Sequence, residues 1–405
     1  MGMDRLHLSY ALVGILGVLL AFWSSSIRRT PISEPLLALL VGVLAGPLLG
    51  LIDLPHRQMS ILTLETSRVL LAISLMAVAL RFPLSAYRSV IRPVGVLLAV
   101  AMAGMAVVSA ALAWLVLGLP VALAALLGAC VTPTDPVLAS SVVSGRPAER
   151  QLPARLRQVI SGESGANDGL AFAFVVLALS VVISGSLADR LLDTAWAVVG
   201  AVAIGLAVGY AAGRAVTAAE AREDVDDGSL LVFTLVLGIA ALGVARVART
   251  DGILAVFVAG LAYNAVIGDR SRASEQRLDD ALTRYLVLPL FFLLGVEVPW
   301  RDWVNLGWPL AAFTVAVLAL RRLPIVLALK PALGLPWRAV VFLGWFGPIG
   351  VSALFYLAHS QQEGARDPRL WAAGTLVVTA STVVHGVTAM PGRRWYAGRS
   401  SASTG

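Results

Sequence analysis

The sequence predicts an all-α polytopic membrane protein with about thirteen transmembrane helices. Apolar residues make up 58% of the 405-residue chain, and charged residues only 14%. The mean hydropathy of +0.85 is also far above that of ordinary soluble domains. The long apolar runs are separated by polar connections that are too short to fold as separate domains. These observations exclude the class of soluble globular proteins.

Thirteen apolar runs are long enough to cross a bilayer. They lie near residues 8–23, 35–52, 60–80, 93–117, 119–143, 158–184, 194–213, 229–247, 252–267, 283–298, 307–329, 338–358 and 370–389. An odd number of crossings puts the two termini on opposite sides. With the N-terminus outside, the connections hold twenty Lys and Arg residues on the inner side and eight on the outer side. The positive-inside rule therefore predicts a multi-pass protein of the cell (inner) membrane with a cytoplasmic C-terminus.

Charge and cysteine content exclude other classes of protein. The net charge of +7 comes from Arg residues spread through the connections, with Lys330 as the single Lys. Because the chain has no basic face and no aromatic-interleaved motif, nucleic acid is not an expected partner. The single cysteine, Cys130, excludes an internal disulfide framework and a cysteine-based metal cluster. No cofactor is expected.

Two of the apolar runs are interrupted near their middles. The fifth run contains Pro133 and Pro136, and the twelfth contains Gly347, Pro348 and Gly350. Proline removes a backbone donor and disfavours helix at the preceding residue. Broken backbone at membrane depth is tolerated only where protein buries it or where it lines an aqueous cavity. The two breaks therefore predict a polar site inside the protein.

The positions of the breaks also predict an inverted repeat. Runs four to six and runs eleven to thirteen are triplets whose middle member is broken. The two triplets start seven runs apart, so they enter the membrane from opposite sides. This layout is typical of transporters with a substrate site near the midplane.

The sixth run carries an unusual group of polar residues between positions 161 and 170. At about 100° per residue, its polar side chains fall within an arc of roughly 140° on a helix, with glycines on the opposite face. The polar face could hold a cation, and the glycine face could let a neighbouring helix approach closely. The polar residues are Glu163, Ser164, Asn167 and Asp168, and the glycines are Gly162, Gly165 and Gly169.

Asp168 is the strongest candidate for an ion carrier. A carboxylate in a low-dielectric site can be neutralised by a proton or by a bound cation, and competition between the two is exchange. Thr134, Asp135 and Ser164 offer further hard oxygen ligands, which suit an alkali cation better than a transition metal. The simpler alternatives are a helix cap or a structural ion pair for Asp168. For Asp135 the simpler alternative is an Asp-Pro turn in a kinked helix.

Asn167 and Glu163 have different expected roles. Asn167 cannot ionise, so a single carboxylate would handle one cation or one proton, which predicts electroneutral one-for-one exchange. Its amide is expected to hydrogen-bond across the broken helices, with ordinary helix packing as the alternative. Glu163 needs a partner, because an unpaired carboxylate in the membrane is costly. We predict a structural Glu163–Arg322 ion pair, with Arg321 as the substitute and snorkelling of the arginines as the alternative.

Two competing functions involve the same residues. A cation channel would conduct without obligatory proton counterflow. An intramembrane serine hydrolase could use Ser164, which lies between small residues, together with His359 or His385. That reading leaves Glu163 and Asp168 unexplained, and both histidines are expected at the membrane interface because they lie near the ends of their apolar runs.

The motif order resembles that of a known transporter family. Thr134-Asp135-Pro136 in a broken fifth run and Glu163-Ser164-x-x-Asn167-Asp168 in the sixth are similar to the NhaP and NHE type of sodium/proton antiporter, family 1 of the monovalent cation:proton antiporters. The resemblance covers the whole chain. Many relatives have an Arg in the Gly-rich segment of run twelve, whereas this chain reads Gly347-Pro348-Ile349-Gly350.

The resemblance implies an NhaA-like antiporter fold and a homodimer that exchanges Na⁺, K⁺ or Li⁺ for H⁺ in pH homeostasis. It implies elevator-like movement, with Asp168 as carrier and Asn167 as the marker of electroneutral members. Thr134, Asp135 and Ser164 would then complete the ion site around Asp168. The implied division is 1–91 for dimerisation-side helices, 92–186 for the first half of the core, 187–215 for a linking helix, 216–300 for further dimerisation-side helices, 301–390 for the second half of the core and 391–405 for a short cytoplasmic tail.

Overall fold

The computed structural model describes residues 3–22, 33–52, 56–183, 187–222, 227–267, 283 and 285–398, and it is helical throughout these ranges apart from connections. The main helices are α1 (Met3–Phe22), α2 (Glu34–Leu48), α3 (His56–Leu80), α4 (Ile91–Leu117), α5 (Val121–Cys130), α6 (Pro136–Val143), α7 (Ala154–Val182), α8 (Leu187–Glu220), α9 (Asp227–Val247), α10 (Gly252–Asn264), α11 (Tyr285–Val296), α12 (Trp300–Leu320), α13 (Trp337–Trp345), α14 (Val351–Gln362) and α15 (Pro368–Ala397). Short helices occupy Leu84–Ser89, Gly145–Gln151, Leu323–Ala328 and Lys330–Leu333.

Each predicted apolar run except the eleventh coincides, within the described residues, with one helix or with a pair of half-helices. The eleventh run spans α12 from its kink at Gly307 and the short helix Leu323–Ala328. The fifth run is the pair α5 and α6, and the twelfth is the pair α13 and α14. Six described helical segments are long and apolar enough to cross a membrane alone. They are Ser60–Leu80, Ile91–Leu117, Ala154–Val182, Leu191–Glu220, Trp300–Ala328 and Pro368–Ala397. The all-helical membrane architecture predicted from the sequence is therefore confirmed.

The two predicted breaks lie against each other. Proline removes backbone donors on both sides of the contact, so neither segment can continue its helix. The Asp135 N–H donates a hydrogen bond of 2.8 Å to the Pro348 carbonyl. Gly350 leaves room for the Asp135 side chain, because a Cβ at Gly350 would lie 2.8 Å from the Asp135 carboxyl carbon. The two broken helices therefore meet at their unwound segments.

Helix α7 passes this contact without a break, and its two faces differ as the sequence predicts. Glu163 and Asp168 on the polar face are at most 1% exposed. On the opposite face, a Cβ at Gly169 would lie 2.7 Å from Leu254 Cα, and a Cβ at Gly165 would lie 2.9 Å from Phe257 Cζ. Both neighbours belong to α10. The glycine face therefore allows α10 to pack almost against the backbone of α7.

A second row of glycines lets α8 pack closely against α10. Gly205, Gly209 and Gly213 recur at every fourth position, so they lie on one face of α8. A Cβ at Gly209 would lie 2.7 Å from the carbonyl carbon of Ala259. Because the neighbour is backbone, it cannot move aside as a flexible side chain would.

We expect Gly209→Val to destabilise the protein by about 1–3 kcal/mol, because a branched side chain would overpack the α8–α10 contact. The thermal unfolding midpoint in detergent measures the effect. Gly243→Val on α9 is the control, because a Cβ at Gly243 would have no neighbour within 4 Å among the described residues. Equal midpoints for the two variants would contradict the close packing of α8.

Candidate ion-binding site

Asp168 is a fully buried carboxylate in the middle of α7, with 0% of the residue exposed. Neither carboxylate oxygen has a hydrogen-bond partner among the described residues. The polar side chains close enough to act on it are Asp135, Ser352 and Glu163. The backbone carbonyl of Asp168 accepts a hydrogen bond from the Tyr356 hydroxyl of α14, which ties the two helices together at this level. A buried carboxylate without a protein donor is stable only with a proton or a cation.

Glu163 and Arg322 form a buried bidentate ion pair. Arg322 Nη1 lies 2.7 Å from Glu163 Oε1, and Nη2 lies 3.0 Å from Oε2. Both side chains are nearly inaccessible, at 3% and 2% exposure. Arg322 Nε also donates to the Leu343 carbonyl at 3.0 Å. Arg322 therefore links α7 to α13 through Glu163 and does not snorkel to the surface.

Arg321 has a different role from its neighbour, because it donates to the backbone of both breaks. Its Nη1 donates to the Thr132 carbonyl at 2.8 Å, and its Nη2 donates to the Gly347 carbonyl at 2.6 Å. Nη1 also contacts the carbonyls of Val131 and Pro133. A positive charge at the carboxyl ends of α5 and α13 is electrostatically favourable. These four carbonyls therefore bind the Arg321 guanidinium.

Asp135 is the counterpart of Arg321 at the amide ends of the half-helices. Its Oδ1 accepts from the backbone N–H of Val137 at 2.7 Å and of Leu138 at 3.0 Å, which is an N-cap of α6. Its Oδ2 accepts from the backbone N–H of Val351 at the start of α14. One carboxylate therefore caps both half-helices that begin at the breaks. The structure gives Asp135 this capping role, and ion ligation by it stays a prediction.

Asn167 and Thr134 join α7 to the first break. Asn167 Nδ2 donates to Thr134 Oγ1 at 2.7 Å and to Glu163 Oε1 at 3.0 Å. The Thr134 N–H lies 3.4 Å from Asn167 Oδ1. Asn167 therefore hydrogen-bonds across the broken helix, as its sequence position predicts. Both of its donor contacts need an amide, because a carboxylate in this place could only accept.

Ser164 lies one helical turn before Asp168 on the same face. Its hydroxyl makes one long contact of 3.4 Å, to the Ser161 carbonyl of its own helix. Because this contact is long and weak, the Ser164 side chain can direct its oxygen lone pairs toward an ion. Ser164 thus belongs with Asp168 as a candidate ligand.

The histidines do not complete a hydrolase dyad with Ser164. His385 is 6% exposed, and its Nε2 lies 3.1 Å from the Trp345 carbonyl at the end of α13. The expectation of an interfacial His385 is therefore wrong, because the unwound segment provides a backbone carbonyl that the imidazole satisfies. His359 packs against the rings of Phe172 and Phe355.

The sequence alone did not single out two hydroxyl residues near the second break. Ser381 Oγ on α15 accepts from the Ile349 N–H at 2.7 Å and so satisfies a donor of the unwound segment. Ser352 lies in the first turn of α14, next to Asp168. The signal that could have identified Ser352 is its position directly after the Gly350 break, which is equivalent to the start of α6 after Pro136.

A family model described as sodium/hydrogen exchanger, transmembrane, matches residues 15–392. The chain belongs to the sodium/hydrogen exchanger family. The match includes both breaks and the whole of α7. The resemblance stated from the Thr134, Asp135, Glu163, Asn167 and Asp168 motifs is therefore confirmed at the level of the family, and membership of a transporter family agrees with the expectation that the protein is not an enzyme.

Fungal antiporters are similar to this exchanger-family chain. The Na⁺/H⁺ antiporter 2 of Zygosaccharomyces rouxii is 33% identical over 376 residues, which cover 89% of this chain and 46% of that protein. The Na⁺/H⁺ antiporter of Saccharomyces cerevisiae is 30% identical over 383 residues, covering 89% and 38%. The chain thus spans less than half the length of these two relatives. A Na⁺/H⁺ antiporter of Schizosaccharomyces pombe is 27% identical over 425 residues, covering 95% and 89%.

Two solved structures share the fold. Both are of the sodium proton antiporter MjNhaP1 from Methanocaldococcus jannaschii, and both are 19% identical to this chain. The structure at pH 8 superposes with a TM-score of 0.71 over 98% of this chain and 97% of the other. The electron-microscopy structure has a TM-score of 0.77 and covers 97% of each chain. The NhaP1-like fold therefore extends over nearly the whole exchanger-family chain.

We expect Glu163→Gln to lower the free energy of unfolding by about 3–5 kcal/mol, because it leaves the Arg322 charge buried without a counter-ion. The thermal midpoint in detergent measures this loss. Glu65→Gln is a matched control, because Glu65 also pairs with an arginine, Arg68, but is 54% exposed. Exposed pairs contribute little, so the control should shift the midpoint only slightly. A Glu163→Gln midpoint equal to that of the unmutated protein would contradict a structural role for the pair.

Proposed function

We propose that this protein is a secondary active transporter that exchanges Na⁺ for H⁺ across the membrane. The observation that carries the proposal is the buried Asp168 carboxylate, which has no donor of its own among the described residues and lies beside two meeting helix breaks. Membership of the sodium/hydrogen exchanger family and similarity to fungal proteins named Na⁺/H⁺ antiporters support this choice of ions. K⁺ and Li⁺ are the alternative cations.

In the proposed cycle, Asp168 is either protonated or bound to a cation, and never empty, when it changes sides. An ionised Asp168 without a cation would be a bare charge in a low-dielectric site, which is the costly state. Ser164 and Thr134 supply further oxygen ligands for the cation. Asp135 positions the half-helices and places a second negative charge near the ion. Competition of both ions for one carboxylate couples their movements in opposite directions.

The balance of buried charges around the breaks favours a one-for-one exchange. Among the described residues at the breaks, three carboxylates and two guanidinium groups are buried: Glu163, Asp135 and Asp168, with Arg321 and Arg322. The arginines offset two of the three negative charges. The remaining single charge is neutralised by one proton or one Na⁺, so each half-cycle would carry the same net charge. We therefore propose electroneutral transport.

The larger movements belong to the same proposal. The core would comprise α4 to α7 with α12 to α15, and it would move like an elevator against the remaining helices, which form a homodimer. The N-terminus would lie outside and the C-terminus in the cytoplasm. The meeting of the two breaks supports the core, because the hydrogen bond from Asp135 to Pro348 and the Arg321 contacts join its two halves.

We expect Asp168→Asn to abolish cation-driven proton movement in proteoliposomes, because an amide cannot exchange a proton for a cation. A pH-sensitive dye would follow the response to Na⁺, K⁺ and Li⁺ pulses over a series of pH values. Asp302→Asn on the exposed start of α12 should transport like the unmutated protein. Retained exchange in a folded Asp168→Asn protein would exclude Asp168 as the carrier. Cation flux without proton counterflow in the unmutated protein would identify a channel.

We expect Asn167→Asp to lower both stability and transport without producing an electrogenic exchanger. The new carboxylate would lose the donors to Thr134 and Glu163 and would place a second negative charge next to Glu163. The measurements are the thermal midpoint and transport currents on a solid-supported membrane. Asn305→Asp on the exposed surface of α12 is the control. Sustained current from the unmutated protein would overturn the one-for-one stoichiometry.

A further inference from the structure

The second break brings a further hydroxyl group to the carrier residue. Ser352 is 0% exposed, and its Oγ has no hydrogen-bond partner within the described part of the chain. The polar group next to it is the Asp168 carboxylate, which is also fully buried. Its oxygens too have no close hydrogen-bond partner among the described residues. Ser352 is therefore placed to donate a hydrogen bond to the Asp168 carboxylate, yet the two groups make no close hydrogen bond. Buried polar atoms are nearly always paired, so this open contact needs an explanation.

The position of Ser352 is fixed by contacts on both sides of it. Asp135 Oδ2 accepts from the N–H of Val351, the residue before Ser352. Four residues further along α14, the Tyr356 hydroxyl donates to the Asp168 carbonyl. Ser381 holds the Ile349 N–H in the unwound segment before the helix. The Ser352 hydroxyl therefore faces α7 on a first turn that is held in place at three points.

The chemistry of this pair suits a hard monovalent cation. A serine hydroxyl offers two oxygen lone pairs, and a carboxylate offers two oxygens, all of them hard donors. Ser164 lies one turn before Asp168 on α7, and among the described residues its hydroxyl makes one weak contact, to the Ser161 carbonyl. A cation at Asp168 could therefore contact oxygens from both α7 and α14.

We propose that Ser352 is a direct ligand of the transported cation, so that the second half of the core supplies part of the ion site. This inference rests on the proposed exchange function. Ser352 thereby distinguishes the bound cation from the proton, because a protonated Asp168 needs one acceptor whereas a cation needs several oxygen ligands. Removing the hydroxyl should weaken cation binding and leave proton binding at Asp168 in place.

The test is a Na⁺ titration of proton movement in proteoliposomes made from the full chain. Ser352→Ala should raise the Na⁺ concentration for half-maximal exchange on the order of tenfold, as expected for loss of one polar contact to a charged group. The rate at saturating Na⁺ should change much less. Ser352→Cys keeps the side-chain connectivity but replaces the hard oxygen with the larger, softer sulfur, so it should also weaken Na⁺ binding and should favour Tl⁺ relative to Na⁺.

Ser360→Ala is the matched control, because Ser360 is buried on the same helix and its hydroxyl donates to the Tyr356 carbonyl at 2.7 Å. Its half-saturating Na⁺ concentration should equal that of the unmutated protein. An unchanged Na⁺ requirement in both Ser352 variants, or an equal shift in Ser360→Ala, would overturn the ligand assignment while the unmutated protein still exchanges ions. Absence of Na⁺-driven exchange in the unmutated protein would instead overturn the proposed function.

Discussion

Two interrupted helices inside a membrane protein leave backbone donors and acceptors that water cannot reach, and the rest of the core is arranged to satisfy them. In this protein one guanidinium group donates hydrogen bonds to the free carbonyls, and one carboxylate accepts hydrogen bonds from the free N–H groups. Arg321 donates to carbonyls of both unwound segments, and Asp135 caps both helices that begin after them. Ser381 and His385 satisfy two further groups of the second segment. Side chains of the protein itself thereby satisfy these backbone groups at the crossing.

This arrangement separates the structural charges from the charge available for transport. Glu163 is neutralised by Arg322, and it also accepts a hydrogen bond from the Asn167 amide. Asp135 is saturated by backbone donors. Asp168 alone among the acidic residues at the crossing lacks a donor in the described structure. The polar arc on α7 thus contains two kinds of carboxylate five residues apart, one held in a fixed network and one left free to bind.

Features that depend on nearby residues could be predicted from the sequence, and features that depend on distant partners could not. The two breaks follow from local proline and glycine, and the position of Asp168 follows from the polar arc of a single helix. The separate roles of Arg321 and Arg322 could not be predicted, because both lie in the bend between α12 and the short helix Leu323–Ala328, and the direction of each side chain depends on the geometry of that bend. The burial of His385 and the approach of Ser352 to Asp168 likewise depend on the crossing of helices far apart in sequence.

The glycine face of α7 affects how the proposed movement could occur. Where Gly165 and Gly169 meet Leu254 and Phe257, the contact is between a nearly bare backbone and the side chains of a single partner helix, α10. Such a surface has no interlocking side chains on one side, so a translation along it requires few rotamer changes. On the polar side of α7, hydrogen bonds join Glu163 and Asn167 to Arg322 and Thr134. A sliding movement there would have to break several of these buried bonds. A side chain larger than glycine at either position would interlock with α10 and hold the two helices in a single register.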